Sequence, residues 1–291
     1  MWRWTIALIP PFFIDCVVAI GARDSEGKTT WIASGFLYGH KATGDEVEQA
    51  KYLVYLVSNR HVFQDLARAC LRFNPQAGGP AREYDLNLLD ADGAPLWFCD
   101  PNEKIDVGVI PINFNVLKEH AMQVAFFASD THAAPIDKLT ELGIAEGDFA
   151  YALGFPMGIV GQERATVIVR SGTIARIRDT LARNDPEFLV DVSIFPGNSG
   201  GPVVSKPEAM SIKGTKSQSA AYLIGVVTSY VPYRDVAISS QTKRPRVIFE
   251  ENSGLAAAHP IDFVQEAILK HIETLGGLGK IRDGDAAGTS S

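Results

Sequence analysis

Cysteine is scarce in this 291-residue chain: Cys16, Cys70 and Cys99 are the only three, so they cannot all pair with one another. No Cys-x-x-Cys spacing and no His/Cys cluster suggests a metal, and each cysteine lies near apolar residues, as a small buried hydrophobe would. Positive charge is also short. The net charge of −7 argues against a nucleic-acid partner held by phosphate neutralisation, and the mild excess of arginine between 164 and 183 reads as a solvated face. The opening stretch from Met1 to Phe13 is too short to span a bilayer. It carries one charged side chain, is interrupted by Pro10-Pro11 and lacks an Ala-x-Ala cleavage site, so it reads as an extension rather than a signal sequence. No solenoid-like repeat is present. The 16 prolines and 26 glycines are spread as turn punctuation instead of forming low-complexity blocks.

What the chain does have is many short apolar runs at regular spacing. Residues 12–20, 29–38, 52–58, 84–89, 95–99 and 107–112 predict six strands, with Asp90-Ala91-Asp92-Gly93 as a hairpin turn between two of them. A second group follows at 124–128, 149–155, 165–177, 188–194, 202–205 and 220–230. Such a pattern favours barrels over an α/β layout. A short helix is predicted over 62–70. The spacing of Ile261, Val264, Ile268 and Ile272 predicts a closing helix over 261–275, with Asp262 and Lys270 suited to its two ends. The expected fold is all-β: two six-stranded antiparallel β-barrels with the site in the cleft between them, and a C-terminal helix. The expected boundaries are a 1–13 extension, a first barrel over 14–120, a second over 121–260, the helix over 261–275 and a flexible tail over 276–291.

The most informative segment is Phe195-Pro196-Gly197-Asn198-Ser199-Gly200-Gly201-Pro202, a glycine-flanked loop between two apolar strands. Glycine lets the backbone turn sharply and lets a substrate carbonyl come close. A loop of this kind can aim the amides of Gly197 and Ser199 at one point, as an oxyanion hole, with the Ser199 hydroxyl beside it. A serine alone is a poor nucleophile, so the loop implies a base and a group that orients the base. Six histidines are available: His40, His61, His120, His132, His259 and His271. His61 follows the apolar strand ending in Ser58-Asn59-Arg60, where the sheet holds it yet leaves it able to reach a cleft; His40, at the end of an earlier strand, is the weaker rival. Asp106 opens the apolar run Val107 to Ile110, where a carboxylate belongs only if paired. Asp191 is its rival, but it lies so close to Ser199 that support of the serine loop suits it better.

The order His61, Asp106, Ser199, with intervals of 45 and 93 residues, is that of the chymotrypsin triad. The chain resembles the trypsin-like (chymotrypsin-fold) serine peptidases, most closely the HtrA/Deg type. Ser58-Asn59-Arg60-His61-Val62, Ile105-Asp106-Val107-Gly108-Val109 and Asp191 to Pro202 are similar to that branch's three motifs; Ala33-Ser34-Gly35-Phe36-Leu37, Leu153-Gly154-Phe155-Pro156, Ser171-Gly172-Thr173-Ile174 and Gly225-Val226-Val227-Thr228 are secondary matches. The resemblance covers about residues 14–275.

It implies a serine endopeptidase that works through His61, Asp106 and Ser199 and an acyl-enzyme. It implies a first specificity pocket walled by Ser193, Ile194 and Phe195 on one side and Thr228, Ser229 and Tyr230 on the other. Thr228 falls where relatives carry a hydroxyl that supports the aspartate. No carboxylate stands at the pocket base, which disfavours cleavage after Lys or Arg and suits small or medium apolar residues. Asn198 stands where digestive relatives carry an aspartate that pairs with a new N-terminus, so activation by zymogen cleavage is not expected. No PDZ-like domain is expected after the protease region. Val62 stands where extracellular relatives carry a disulfide cysteine, which points to a reducing, cytoplasmic setting. No cofactor or metal, no nucleic acid and no membrane is expected. The expected partners are a protein or peptide substrate and, for regulation, another protein. The alternatives are a protease-fold binding or regulatory module with latent catalysis, and an esterase or other acyl hydrolase.

Overall fold

The computed structural model describes residues 9–43, 51–208 and 214–275. The expectations for the first eight residues and for the tail from 276 lie outside these. The two prolines that interrupt the N-terminal run do not lead into a strand. Pro11 opens a one-turn helix, α1 (Pro11–Asp15), because proline's fixed φ suits the first helical position and its missing N–H costs nothing there.

The first half is built from β1 (Val17–Arg23), β2 (Thr29–Thr43), β3 (Lys51–Ser58), β4 (Arg68–Phe73), β5 (Arg82–Asn87), β6 (Phe98–Cys99), β7 (Gly108–Pro111) and β8 (Phe127–Ala128). Two helices lie among them, α2 (Arg60–Gln64) and α3 (Phe114–Glu119). The sheet runs β5-β4-β1-β2-β3-β7-β6, and β8 pairs in parallel with β2. It is an eight-stranded rolled sheet, not a closed six-stranded barrel. The Asp90 carboxylate accepts from Asp92 N and Ala94 N, and the predicted 95–99 strand is two residues long, as β6. The free edges meet only through Leu96 N to Leu88 O and a single bridge between Leu89 and Pro95.

The second half begins with α4 (Ile136–Leu142) and closes a true barrel from β9 (Phe149–Gly154), β10 (Ile168–Arg176), β11 (Phe188–Asp191), β12 (Pro202–Ser205), β13 (Leu223–Ile238) and β14 (Pro245–Pro260), in the order β10-β11-β14-β13-β12-β9. A short helix, α5 (Arg178–Leu181), connects β10 to β11. Six strands form this barrel, but not the six expected. The 124–128 run contributes β8 to the first sheet, and its place is taken by β14. The Ala256-Ala257-Ala258 segment of β14 has little intrinsic strand preference; register with Val190 and Tyr230 makes it a strand. Beyond Tyr230 and before Asn252, β13 and β14 leave the barrel as a two-stranded ribbon with Tyr233, Ile238, Ile248 and Phe249 exposed.

Each half encloses its own core. Ile20, Leu37, Leu56, Phe63 and Leu71 fill the first, and Phe188, Val190, Val203, Ile224 and Ala258 the second. A third cluster is the seam between the halves, where Phe36, Tyr38, Tyr55 and Val107 meet Leu153, Phe155 and Val226. The closing helix α6 (Asp262–Thr274) is sewn into that seam by Val264, Ala267, Ile268 and Ile272, all buried. Burial of an aliphatic side chain is worth about 1.5–3 kcal/mol. The stripe on α6 therefore holds the two halves, and whatever lies between them, in one arrangement.

Candidate active site

The strand β3 is apolar to its last residue, and Ser58 and Asn59 are both fully buried. The chain then turns into α2, which places His61 in the helix's first turn with its ring about half exposed. His61 Nδ1 lies 2.6 Å from Asp106 Oδ2, and its backbone N–H donates to Asp106 Oδ1 at 3.0 Å. One carboxylate thus binds both the ring and the backbone of one histidine, which sets the tautomer and the ring's direction together. The other ring nitrogen, Nε2, makes no hydrogen bond among the described residues. The Asp106 carboxylate raises the His61 pKa above its ordinary value of 6.5, against a smaller opposing effect of burial. Asp106 is fixed from behind as well, since Asn59 Nδ2 donates to its carbonyl at 2.7 Å.

The serine loop is built from the second half and locked against the first. Gly197 (φ 98) and Gly200 (φ 80) take left-handed backbone that side-chained residues rarely adopt. A Cβ on Gly200 would collide with Ser58 Oγ and Ser34 O, so this loop sits directly on the strand end that leads to His61. Asn198 is buried; its Oδ1 accepts from Phe195 N at 3.0 Å, while its Nδ2 has no partner among the described residues. The Pro196 carbonyl accepts from Met157 N at 2.6 Å, with Met157 itself at φ 56. Among the described residues no acceptor pairs with the amides of Gly197 or Ser199, the two donors expected to face an oxyanion.

Ser34 is the contributor that the sequence reading missed. It is 0 % exposed, and its hydroxyl donates to Gly197 O at 2.6 Å while accepting from Phe155 N at 2.9 Å. Its backbone N–H donates to Ser199 O, and its carbonyl accepts from Ser58 Oγ. One residue of β2 therefore grips both ends of the Gly197–Ser199 segment. Only its place in the Ala33 to Leu37 match hinted at this.

The expected pocket residues fall into two groups. Ser193 and Ser229 are exposed, and Phe195 and Tyr230 are half-buried. The Phe195 ring lies under the Arg170 guanidinium, and the Tyr230 hydroxyl donates to Glu250, which also pairs with Arg234. Ile194, 3 % exposed, turns its side chain into the second core, and its carbonyl accepts from Asn252 Nδ2. Thr228 is buried too, and its hydroxyl reaches Ala257 O at 3.1 Å and Glu187 Oε1 at 3.2 Å, not the Asp106 carboxylate. The rivals lie elsewhere: His40 in β2, its pKa lowered by burial, and Asp191 exposed at the end of β11.

Cys16, Cys70 and Cys99 are free thiols. Among the described residues no cluster of His, Cys, Asp and Glu could hold a metal ion, and no helix is long and apolar enough to cross a membrane.

A family model described as "Trypsin-like peptidase domain" matches residues 33–209, the span that holds all three candidate triad residues. No curated protein matches the sequence significantly. Among solved structures, the crystal structure of the Drosophila Grass clip serine protease of the Toll pathway is similar over 95% of this chain and 74% of its own, at 10% identity and a TM-score of 0.48.

Proposed function

Since the chain belongs to the trypsin-like peptidase domain family, we propose that it is a serine endopeptidase in which Ser199, His61 and Asp106 act as one catalytic unit. The observation that carries this reading is the double hydrogen bond from His61 to the Asp106 carboxylate, on the strand end against which the Ser199 loop is packed. In the proposed reaction the Ser199 hydroxyl adds to the scissile carbonyl as His61 Nε2 takes its proton. Asp106 stabilises the imidazolium that results. The Gly197 and Ser199 amides receive the negative oxygen; loss of one such donor typically costs about 10²–10³ in rate. The imidazolium then gives its proton to the departing amine, an acyl-enzyme remains on Ser199, and water is activated by the same base to release it.

Two features of the loop favour an active enzyme over a latent binding module. The Pro196 carbonyl is tied to Met157, away from the Gly197 amide, and the loop is held by Ser34 and Asn198 without a cleaved N-terminus. The HtrA/Deg resemblance of the motifs is part of the same reading, as is a preference for small or medium apolar residues before the cut. Peptide-library profiling tests the function. The wild type is expected to cut peptide bonds with few sites after Lys or Arg, and Ser199→Ala to cut none. Equal cleavage by both proteins, or none by the wild type, overturns it.

A further inference from the structure

All six histidines lie among the described residues, and His259 alone is buried, at 0 % exposure. It belongs to β14, and the Phe263 ring of α6 packs edge-on against it, with centroids 5.4 Å apart. Both ring nitrogens are used. Nε2 lies 2.9 Å from the backbone N of Asp106, and Nδ1 lies 2.9 Å from Pro186 O. An amide N–H can only donate and a carbonyl can only accept. The ring is therefore neutral, with its proton on Nδ1 and a bare Nε2. Glu187 Oε1, at 3.9 Å from Nε2, is too far to share a hydrogen bond.

The chain segments joined in this way matter more than the bonds themselves. Asp106 lies just before β7 in the first half, whereas Pro186 and His259 belong to the half that carries the Ser199 loop. With His259 on its amide, Asn59 on its carbonyl and His61 on both carboxylate oxygens, every polar group of Asp106 is held. A leucine or phenylalanine would fill the same seam with no desolvated imidazole to satisfy.

Resting on the peptidase reading above, we propose that His259 is a positioning residue: its neutral ring pins the Asp106 backbone to the second half and so sets how His61 is aimed at Ser199. His259→Phe keeps a ring in the seam but leaves the Asp106 amide and the Pro186 carbonyl without partners. His259→Gln restores an acceptor close to the Nε2 position. Kinetics are measured per active site, counted with a fluorophosphonate. For the Phe variant kcat is expected to fall about 10- to 100-fold, the scale of a small misplacement of a catalytic group. KM is expected to hold, the acid limb of the kcat/KM profile to move to lower pH as His61 loses part of its carboxylate support, and Gln to recover most of kcat.

A purely structural role would lower the number of labelled sites without moving the acid limb. Wild-type kcat per site with an unmoved limb in His259→Phe overturns the proposal. Nitrogen-15 NMR of the wild type tests it even if that variant does not fold. A His259 ring protonated on Nδ1 alone at neutral pH is expected, and an Nε2-protonated or doubly protonated ring overturns it. Failure of the wild type to react with the fluorophosphonate would instead remove the peptidase reading, a separate outcome.

Discussion

Removing the Ser34 hydroxyl tests how the loop beneath the scissile bond is held. Ser34→Ala takes away one oxygen from a site that is 0 % exposed, and with it both the bond to Gly197 O and the bond from Phe155 N. Neither group gains access to solvent, because alanine fills almost the same space. Each unpaired buried group costs about 1–3 kcal/mol, so the variant should lose about 2–6 kcal/mol of stability. For a chain of this size that is a fall in Tm of roughly 3–10 °C, read by calorimetry or thermal denaturation. The second effect is local. The Gly197 carbonyl shares its residue with an amide proposed to bind the oxyanion, and an untethered carbonyl lets that residue rotate. Complete loss of one oxyanion donor costs about 10²–10³ in rate, so partial loss of its aim should lower kcat about tenfold. Ser34→Thr, which keeps the hydroxyl, should retain more of kcat than Ser34→Ala. A Ser34→Ala protein that melts with the wild type and turns over at the wild-type rate would refute the reasoning.

The remaining predictions concern the histidine and its supports. Because Asp106 raises the His61 pKa and the base must be neutral to act, kcat/KM should rise with pH through a midpoint above 6.5. The sign for stability is opposite: the pairing favours the protonated ring, so its contribution is complete below pH 6.5 and fades as pH rises through the folded-state value. Asp106→Asn should move the kinetic midpoint downward and cut kcat about 10⁴-fold, measured on the same peptide. Gly200→Ala combines a left-handed φ with a Cβ driven into Ser58 and Ser34, so it should be poorly folded, with reduced fluorophosphonate labelling and a lowered Tm.

The separate parts of the architecture were legible wherever local pattern and tertiary role agree. The β3 run and the α6 stripe each bury the face their spacing announces, and the closeness of His61 and Asp106 follows from carboxylate and imidazole standing beside apolar strands. Legibility failed where the deciding partner is remote. β14 passes through three alanines and is made a strand by β11 and β13, and β8 is drawn to β2 by a two-residue register. Phe12 and Phe13, read as a strand, turn helical because the preceding prolines set the backbone. Ser34 and His259 exert their effects across 163 and 153 residues of sequence, and apart from the Ala33 to Leu37 match nothing in their immediate neighbours announces those contacts. Thr228 shows the converse: its motif predicted support of the aspartate, but Ala257 and Glu187 lie nearer to its hydroxyl.

The most direct measurement of the central claim is intact-protein mass spectrometry after reaction with a fluorophosphonate, followed by peptide mapping. A single adduct on Ser199, absent in Ser199→Ala and strongly slowed in His61→Ala, is the predicted result. A wild-type protein that remains unmodified under conditions where trypsin reacts fully, or an adduct on another residue that persists in Ser199→Ala, would contradict it.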